Sequence, residues 1–290
     1  MTRGRKRANR SPRWRRWLLA AVALSLCPAL VAAGERLERI VAEGRVRVCI
    51  WPEYYGITYR DPRTQSLSGI DYEMALALGD DLGVAVELVD SSFAELIADI
   101  EGDRCDVAMF AIGITPERQR HLRFTDPHLA SDIYAVTTKA NRRIADWGDI
   151  DREGAIVAVA KGTLHEPIMR QRLRRATLKV FDTPFAREQE VRSSRADVFM
   201  TDYPYGKRML DTVDWARLIA PEGAFHITPY AYALKPGDDA WHARLQAFVQ
   251  AIKQDGRLAA AAERNGLSRL LAQDRRTNAS DSRPADAGEN

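Results

Sequence analysis

A chain of 290 residues is long enough to bury a large core in one or two compact domains. Its 46% hydrophobic and 29% charged residues are globular proportions and exclude a low-complexity or fibrous protein. The formal charge of +3 is misleading: eight of the 43 basic residues lie between Arg3 and Arg16, and the remaining 35 stand against 40 acidic ones. The body of the chain is therefore mildly acidic and lacks the electrostatic footprint of a nucleic-acid binder.

In chain order, a basic stretch ending at Arg16 is followed by an apolar run from Trp17 to Val31, and Ala32, Ala33 and Gly34 offer small residues for cleavage after Ala33. This pattern predicts a signal peptide over residues 1–33 and a periplasmic mature protein. The run is broken by Pro28 and is short for a stable span. Lipid anchoring at Cys27, twin-arginine export through Arg15 and Arg16, and an uncleaved anchor rank below it. Leu26 is large where a lipoprotein signal has a small residue.

The body alternates strand-like and helix-like stretches, which predicts an α/β fold with largely parallel sheets. Arg45–Ile50 and Val84–Val89 read as strands, and Asp71–Leu82, with Met74, Ala75, Leu78 and Leu82 at helical spacing, as a helix closed by Gly83. Phe93–Ile100 reads as a helix and Asp106–Ile112 as a buried strand. A second block repeats the pattern: strand Ala155–Ala160, turn Gly162-Thr163, helix Leu164–Leu173, strand Leu178–Phe181, helix Arg187–Ser194 and strand Asp197–Met200. Helices Ala240–Asp255 and Leu258–Asn265 close the fold, and the polar tail from 273 to 290 is expected to be disordered.

The extended stretches Ile133–Thr138 and Ile227–Leu234 are expected to connect the blocks as a two-strand hinge. This divides the chain into a discontinuous first lobe, residues 34–130 plus 228–272, and a second lobe, residues 131–227. Clefts between lobes are favoured sites for small ligands. Cys49 and Cys105 lie in apolar strand-like runs, where two buried free thiols are the expected state. They can pair in an oxidising compartment only if those strands are neighbours. Neither CxxC, HExxH nor clustered histidine occurs, so neither metal nor cofactor is expected.

From about Arg45 to Leu267 the sequence resembles the polar amino-acid-type (family 3) solute-binding proteins of ABC importers. The resemblance rests on Leu67-Ser68-Gly69-Ile70-Asp71, Gly102–Asp106, Gly113–Arg118 followed by Phe124–Pro127, Lys161-Gly162-Thr163, Val198–Asp202 and Lys253–Leu258, in the family's order. It implies a type II two-lobe clamp, a small amino-acid-like ligand, a membrane ABC permease as partner, and a monomer.

Arg118 ends the family's "I-T-x-x-R" run and is expected to grip a ligand carboxylate bidentately. Asp202, at the end of a strand, is the expected partner of a ligand ammonium, where a low dielectric strengthens each ion pair. Thr163 can offer backbone N–H groups to the carboxylate, while its spacing to Glu166 also spells a helix capping box. Trp51, Tyr54, Tyr55 and Phe93 are expected as aromatic ligand contacts. At the residues five and seven before Arg118, the family commonly presents Ser or Thr, whereas this chain has Gly113 and Ala111. Gly113 keeps only its backbone N–H, and each lost side-chain bond is worth roughly 0.5–1.5 kcal/mol.

The leading functional expectation is therefore a non-enzymatic carrier of an amino acid or related zwitterion. One alternative is a periplasmic cyclohexadienyl (prephenate or arogenate) dehydratase, for which Glu166, His165 and Asp202 are the candidate acids. The other is a ligand-sensing partner of a membrane receptor.

Overall fold

The computed structural model describes residues 1–2 and 34–271. The expected signal segment with Cys27 and the polar tail therefore lie outside the described residues, apart from Met1 and Thr2.

The elements follow in order α1 (Glu35–Glu43), β1 (Arg45–Ile50), β2 (Glu53–Tyr54), β3 (Thr58–Arg60), β4 (Leu67–Ser68), α2 (Ile70–Leu82), β5 (Ala85–Asp90), α3 (Leu96–Glu101), β6 (Val107–Gly113), α4 (Pro116–Gln119), β7 (Arg123–Phe124) and β8 (Leu129–Ser131). The second block holds β9 (Ile133–Thr138), β10 (Ile156–Ala160), α5 (His165–Arg172), β11 (Thr177–Phe181), α6 (Pro184–Arg192), β12 (Val198–Asp202), α7 (Tyr203–Thr212) and β13 (Ala216–Ile219). The chain then returns through β14 (Thr228–Leu234), α8 (Asp239–Gln254) and α9 (Arg257–Arg264).

Two sheets result. The first runs β5-β1-β6-β14-β7, with β8 also on β14; the second runs β11-β10-β12-β9-β13. In each sheet three strands are parallel, and returning strands add antiparallel pairs: β14 on β6, and β9 on β12. The stretches expected to be hinge connectors are strands inside the sheets, because their continuous apolar runs fill central positions: Ile133–Val136 and Tyr230–Leu234 are buried throughout. The crossings between sheets are the short segments from Ser131 to Ile133 and from Ile219 to Thr228.

Helix phase explains the layers. Ile70, Met74, Ala75 and Leu78 point from α2 into the core, as do Trp241, Leu245, Phe248, Val249 and Ile252 from α8. The Asp238 carboxylate caps α8 by accepting from the Trp241 N–H at 2.8 Å, a contact worth about 1 kcal/mol. The Phe93 stretch is shorter than expected as a helix, and Phe93 lies in the turn before α3.

Cys49 and Cys105 form a disulfide, in place of the expected free thiols. The reason is register: β1 pairs with β6 through Val48↔Val107 and Cys49↔Ala108, which brings the two Cα atoms to 5.6 Å. Strand adjacency between segments 56 residues apart is a tertiary fact. Close by, the buried Asp106 carboxylate binds Arg36, Arg39 and Arg47, joining α1 to the first sheet.

Candidate functional site

The carboxyl ends of β1, β6, β10 and β12 converge where the two lobes meet, the general place for ligands in parallel α/β sheets. Trp51 follows β1, Gly113 ends β6 ahead of Arg118, Gly162 and Thr163 follow β10, and Asp202 ends β12. Two adjoining cavities lie there. The inner one, about 20 Å³, is lined by Trp51, Tyr54, Tyr205, Tyr230, Ala111, Asp202, Arg187 and His165, and the outer one, about 300 Å³, by Thr115, Arg118, Gly162 and Glu166; Phe93, Thr163 and Leu164 border both.

Arg118 is buried beside the Phe93 ring, its guanidinium carbon 5.1 Å from the centroid. Its Nη1 donates to the Gly113 carbonyl at 3.0 Å and its Nη2 to the Gly162 carbonyl at 3.1 Å. Among the described residues it has no carboxylate partner, and burial pulls its pKa down to about 10, so it remains a cation at neutral pH. The short helix α4 positions it: Thr115 caps that helix by accepting from the Arg118 N–H at 3.2 Å, and Pro116 starts it.

Asp202 is buried and faces no cation at ion-pair distance among the described residues. It accepts from the hydroxyl of Tyr54, from that of Tyr230 at 2.8 Å, and from the Tyr205 N–H at 3.2 Å, the last making it the N-cap of α7. Burial raises its pKa against the opposing effect of those hydroxyl bonds. A carboxylate offers about four acceptor positions, so one place remains for a further donor.

Thr163 lines both cavities, but the expected capping box is not formed. Its hydroxyl donates to the Ala160 carbonyl at 2.7 Å, and Glu166 instead accepts from the Gly162 N–H at 3.4 Å and pairs with Arg170 at 2.9 Å. The cause is position: α5 begins at His165, with Leu164 at the N-cap, so Thr163 sits one residue too early.

Trp51, Tyr54 and Phe93 form one aromatic cluster, with ring centroids 5.0–5.8 Å apart, and Trp51 stacks on Tyr205 at 6.4 Å and 6°. Tyr55 does not belong to it. Its ring packs on Tyr59, 5.2 Å away, because successive residues of the β2–β3 hairpin face opposite ways and only Tyr54 turns to the cleft.

The replacement of a hydroxyl by Gly113 has a counterpart across the cleft. A Cβ at Gly113 would lie 2.8 Å from Leu164 Cδ2 and 2.9 Å from Thr228 Cγ2, so Leu164 of the second lobe fills the space a side chain would take. Ala111 holds a positive φ of 48°, rare for a non-glycine residue, and its N–H donates to the buried Asp71 carboxylate at 2.6 Å. Asp71 also accepts from Tyr232 and meets the His128 ring, so it ties the start of α2 to β6 and β14.

Arg187, Tyr205, Tyr230 and Leu164 also line the inner cavity, outside the motifs that carry the family resemblance. A signal existed for Arg187: it is in phase with Pro184 and Val191 on the buried face of α6, an unusual place for a cation.

Two lobes, each a mixed sheet flanked by helices, that close on a shared aromatic and charged cleft define a type II periplasmic-binding-protein clamp. The chain belongs to the bacterial extracellular solute-binding proteins, family 3, whose pattern it matches over residues 46–267. It is 29% identical over 241 residues to a cyclohexadienyl dehydratase of Pseudomonas aeruginosa, covering 83% of this chain and 89% of that one. With the L-cystine-binding protein TcyJ of Escherichia coli it shares 25% identity over 198 residues, 68% of this chain and 74% of that one. The crystal structure of the ancestral amino acid-binding protein AncCDT-1, a precursor of cyclohexadienyl dehydratase, superposes with a TM-score of 0.72 at 27% identity, covering 79% of this chain and 98% of that one.

Proposed function

We propose that this protein is an exported carrier that holds an amino-acid-like zwitterion between Arg118 and Asp202 and delivers it to an ABC permease in the membrane. The observation that carries the reading is the pair itself. A buried guanidinium with only carbonyl partners and a buried carboxylate with no cation at ion-pair distance border adjoining cavities of one cleft from opposite lobes. Each is under-compensated, since a buried charge is costly unless paired, and a zwitterion supplies both missing charges at once. The inner cavity is too small for an amino acid, so the solute enters with the lobes parted and closure follows. The family match and the amino-acid-binding relative support the same reading. A thermal-shift screen of amino acids tests it, because a bound solute raises the melting temperature by mass action. The expected result is a shift with at least one amino acid that disappears in Arg118→Ala.

A second reading, a dehydratase acting on a cyclohexadienyl acid, is favoured by the similarity to the Pseudomonas enzyme and by the raised pKa of Asp202 in an aromatic cavity. The other two candidate acids support it less. Burial drives the His165 pKa to about 3, leaving it a neutral imidazole rather than an acid at neutral pH, and Glu166 is tied to Arg170. Incubation with prephenate or arogenate decides: an aromatic product establishes the enzyme, and its absence leaves the carrier.

A further inference from the structure

Arg187 is a second buried cation at the cleft, and the Arg118–Asp202 pair makes no use of it. Only 2% of its surface is exposed. Its Nη1 donates to the Met200 carbonyl at 2.7 Å, and its guanidinium lies 4.7 Å from the ring centroids of both Phe199 and Tyr205. Its Nε, fully buried, has no hydrogen-bond partner, and no carboxylate lies within ion-pair distance of the guanidinium among the described residues. Beside it, neither ring nitrogen of the buried His165 makes a well-formed hydrogen bond; the backbone of Thr201 approaches without making one. Both side chains border the inner cavity.

Such groups are rare, because a buried donor without an acceptor and a buried charge without a counter-charge each carry a desolvation penalty. Ring stacking eases the burial of Arg187 but provides no acceptor. Of the charges that line the inner cavity, Arg187 is the cation and Asp202 the anion, and Arg187 acts electrostatically on Asp202. Once Asp202 takes the ligand ammonium, Arg187 is left without a counter-charge in that cavity. A solute with one extra negative charge supplies it.

We infer that the solute is an amino acid whose side chain ends in a carboxylate, received by the Arg187 Nε–H with a His165 N–H alongside. This rests on the proposed reading that Arg118 takes the main-chain carboxylate and Asp202 the ammonium. Because the space is lined by rings and by a cation, amino acids with cationic side chains are repelled. Those with a carboxamide meet the donors with a neutral acceptor and bind less tightly, since hydrogen bonds to ionised groups are roughly twice as strong.

Isothermal titration of the purified protein with L-glutamate, L-aspartate, L-glutamine, L-leucine and L-arginine tests the assignment, repeated with Arg187→Met and Arg187→Gln. An acidic amino acid is expected to bind roughly 10- to 100-fold more tightly than glutamine, from the strength of one charge-assisted contact, and arginine to give no heat. In both variants the ratio of acidic to amide affinity falls to about one. Circular dichroism identifies a variant that has lost its fold, and Arg187→Gln keeps polarity where Arg187→Met keeps length. Tightest binding of leucine, glutamine or arginine overturns this inference while leaving the zwitterion reading standing. A ratio unchanged in a folded variant also overturns it, as does binding of none of the five, and a thermal screen in which no amino acid gives a shift overturns the zwitterion reading as well.

Discussion

Arg118 and Gly162 come from opposite lobes, and the guanidinium Nη2 of the first donates to the carbonyl of the second at 3.1 Å. Closure is therefore recorded by the same side chain that is proposed to grip the solute. Gly162 has a φ of +74°, and a Cβ there would fall 2.7 Å from the Ala94 Cα and 2.8 Å from its nitrogen. Only glycine accommodates both the left-handed backbone and this approach of one main chain to another. Gly162→Val should leave both lobes folded and keep them apart: its radius of gyration by small-angle scattering stays above the wild-type value at saturating solute. Equal radii would refute the role of this contact in closure.

Replacing Arg118 removes the cation proposed to grip the main-chain carboxylate. Hydrogen bonds to a charged group contribute about 1.5–3 kcal/mol each, so Arg118→Ala should weaken solute binding by at least 100-fold, with far-ultraviolet circular dichroism unchanged. Arg118→Lys keeps the charge but loses the planar fork, and is expected to recover only part of the affinity. Full affinity in the alanine variant, measured by calorimetry, would remove Arg118 from the site.

Asp202 illustrates function set against stability. Burial raises its folded pKa above the unfolded value, so between the two values the folded protein retains a proton that the unfolded chain releases. Stability therefore falls as pH rises through that interval. Asp202→Asn keeps one acceptor oxygen for Tyr54 and Tyr230 without the buried charge, and gives up the oxygen that takes the Tyr205 N–H. At pH 7 without solute it should melt no lower than wild type, yet bind an ammonium-bearing solute on the order of 10- to 100-fold more weakly. A clear fall in its melting temperature would contradict this.

His165 gives the opposite slope. With a folded pKa of about 3, it stays neutral while the unfolded chain takes a proton near pH 6.5, so its contribution to stability is complete above pH 6.5 and declines as pH falls toward 3. Below that, both states are protonated. Denaturant melts of wild type and His165→Gln between pH 7 and 4 should converge as pH falls, since only the wild type pays this penalty. Parallel curves would mean that His165 is not held neutral.

The disulfide closes a loop between residues 56 apart. Chain entropy assigns such a cross-link roughly 4 kcal/mol, so the double variant Cys49→Ala with Cys105→Ala should lose about that much in urea unfolding. A loss below about 1 kcal/mol would show that β1 and β6 hold their register unaided.

Local pattern carried much of the architecture. Glycine stops, helical spacing in α2 and α8, and β-branched runs reveal their elements because each signal lies within a few residues. The short β2–β3–β4 hairpins and α7 were passed over, the first because two- and three-residue strands have no readable period, the second because its helix opens with Tyr203-Pro204. Neighbouring tyrosines in a hairpin look alike in sequence until the pleat assigns each a face, which is why Tyr54 and Tyr55 are both expected as contacts while Tyr54 is the one that lines the inner cavity.

The sequence by itself determined two α/β blocks in a fixed order, the acidic character of the body, and the motifs that put Arg118 shortly after β6 and Asp202 at the end of β12. Only the tertiary structure decided that the cysteines meet, that Leu164 fills the space beside Gly113, and that Arg187 and His165 are shut into the cavity wall. The first set follows from periodicity and chemistry within one segment. The second depends on which distant segments share a surface, and burial and charge compensation exist only once those surfaces are in contact.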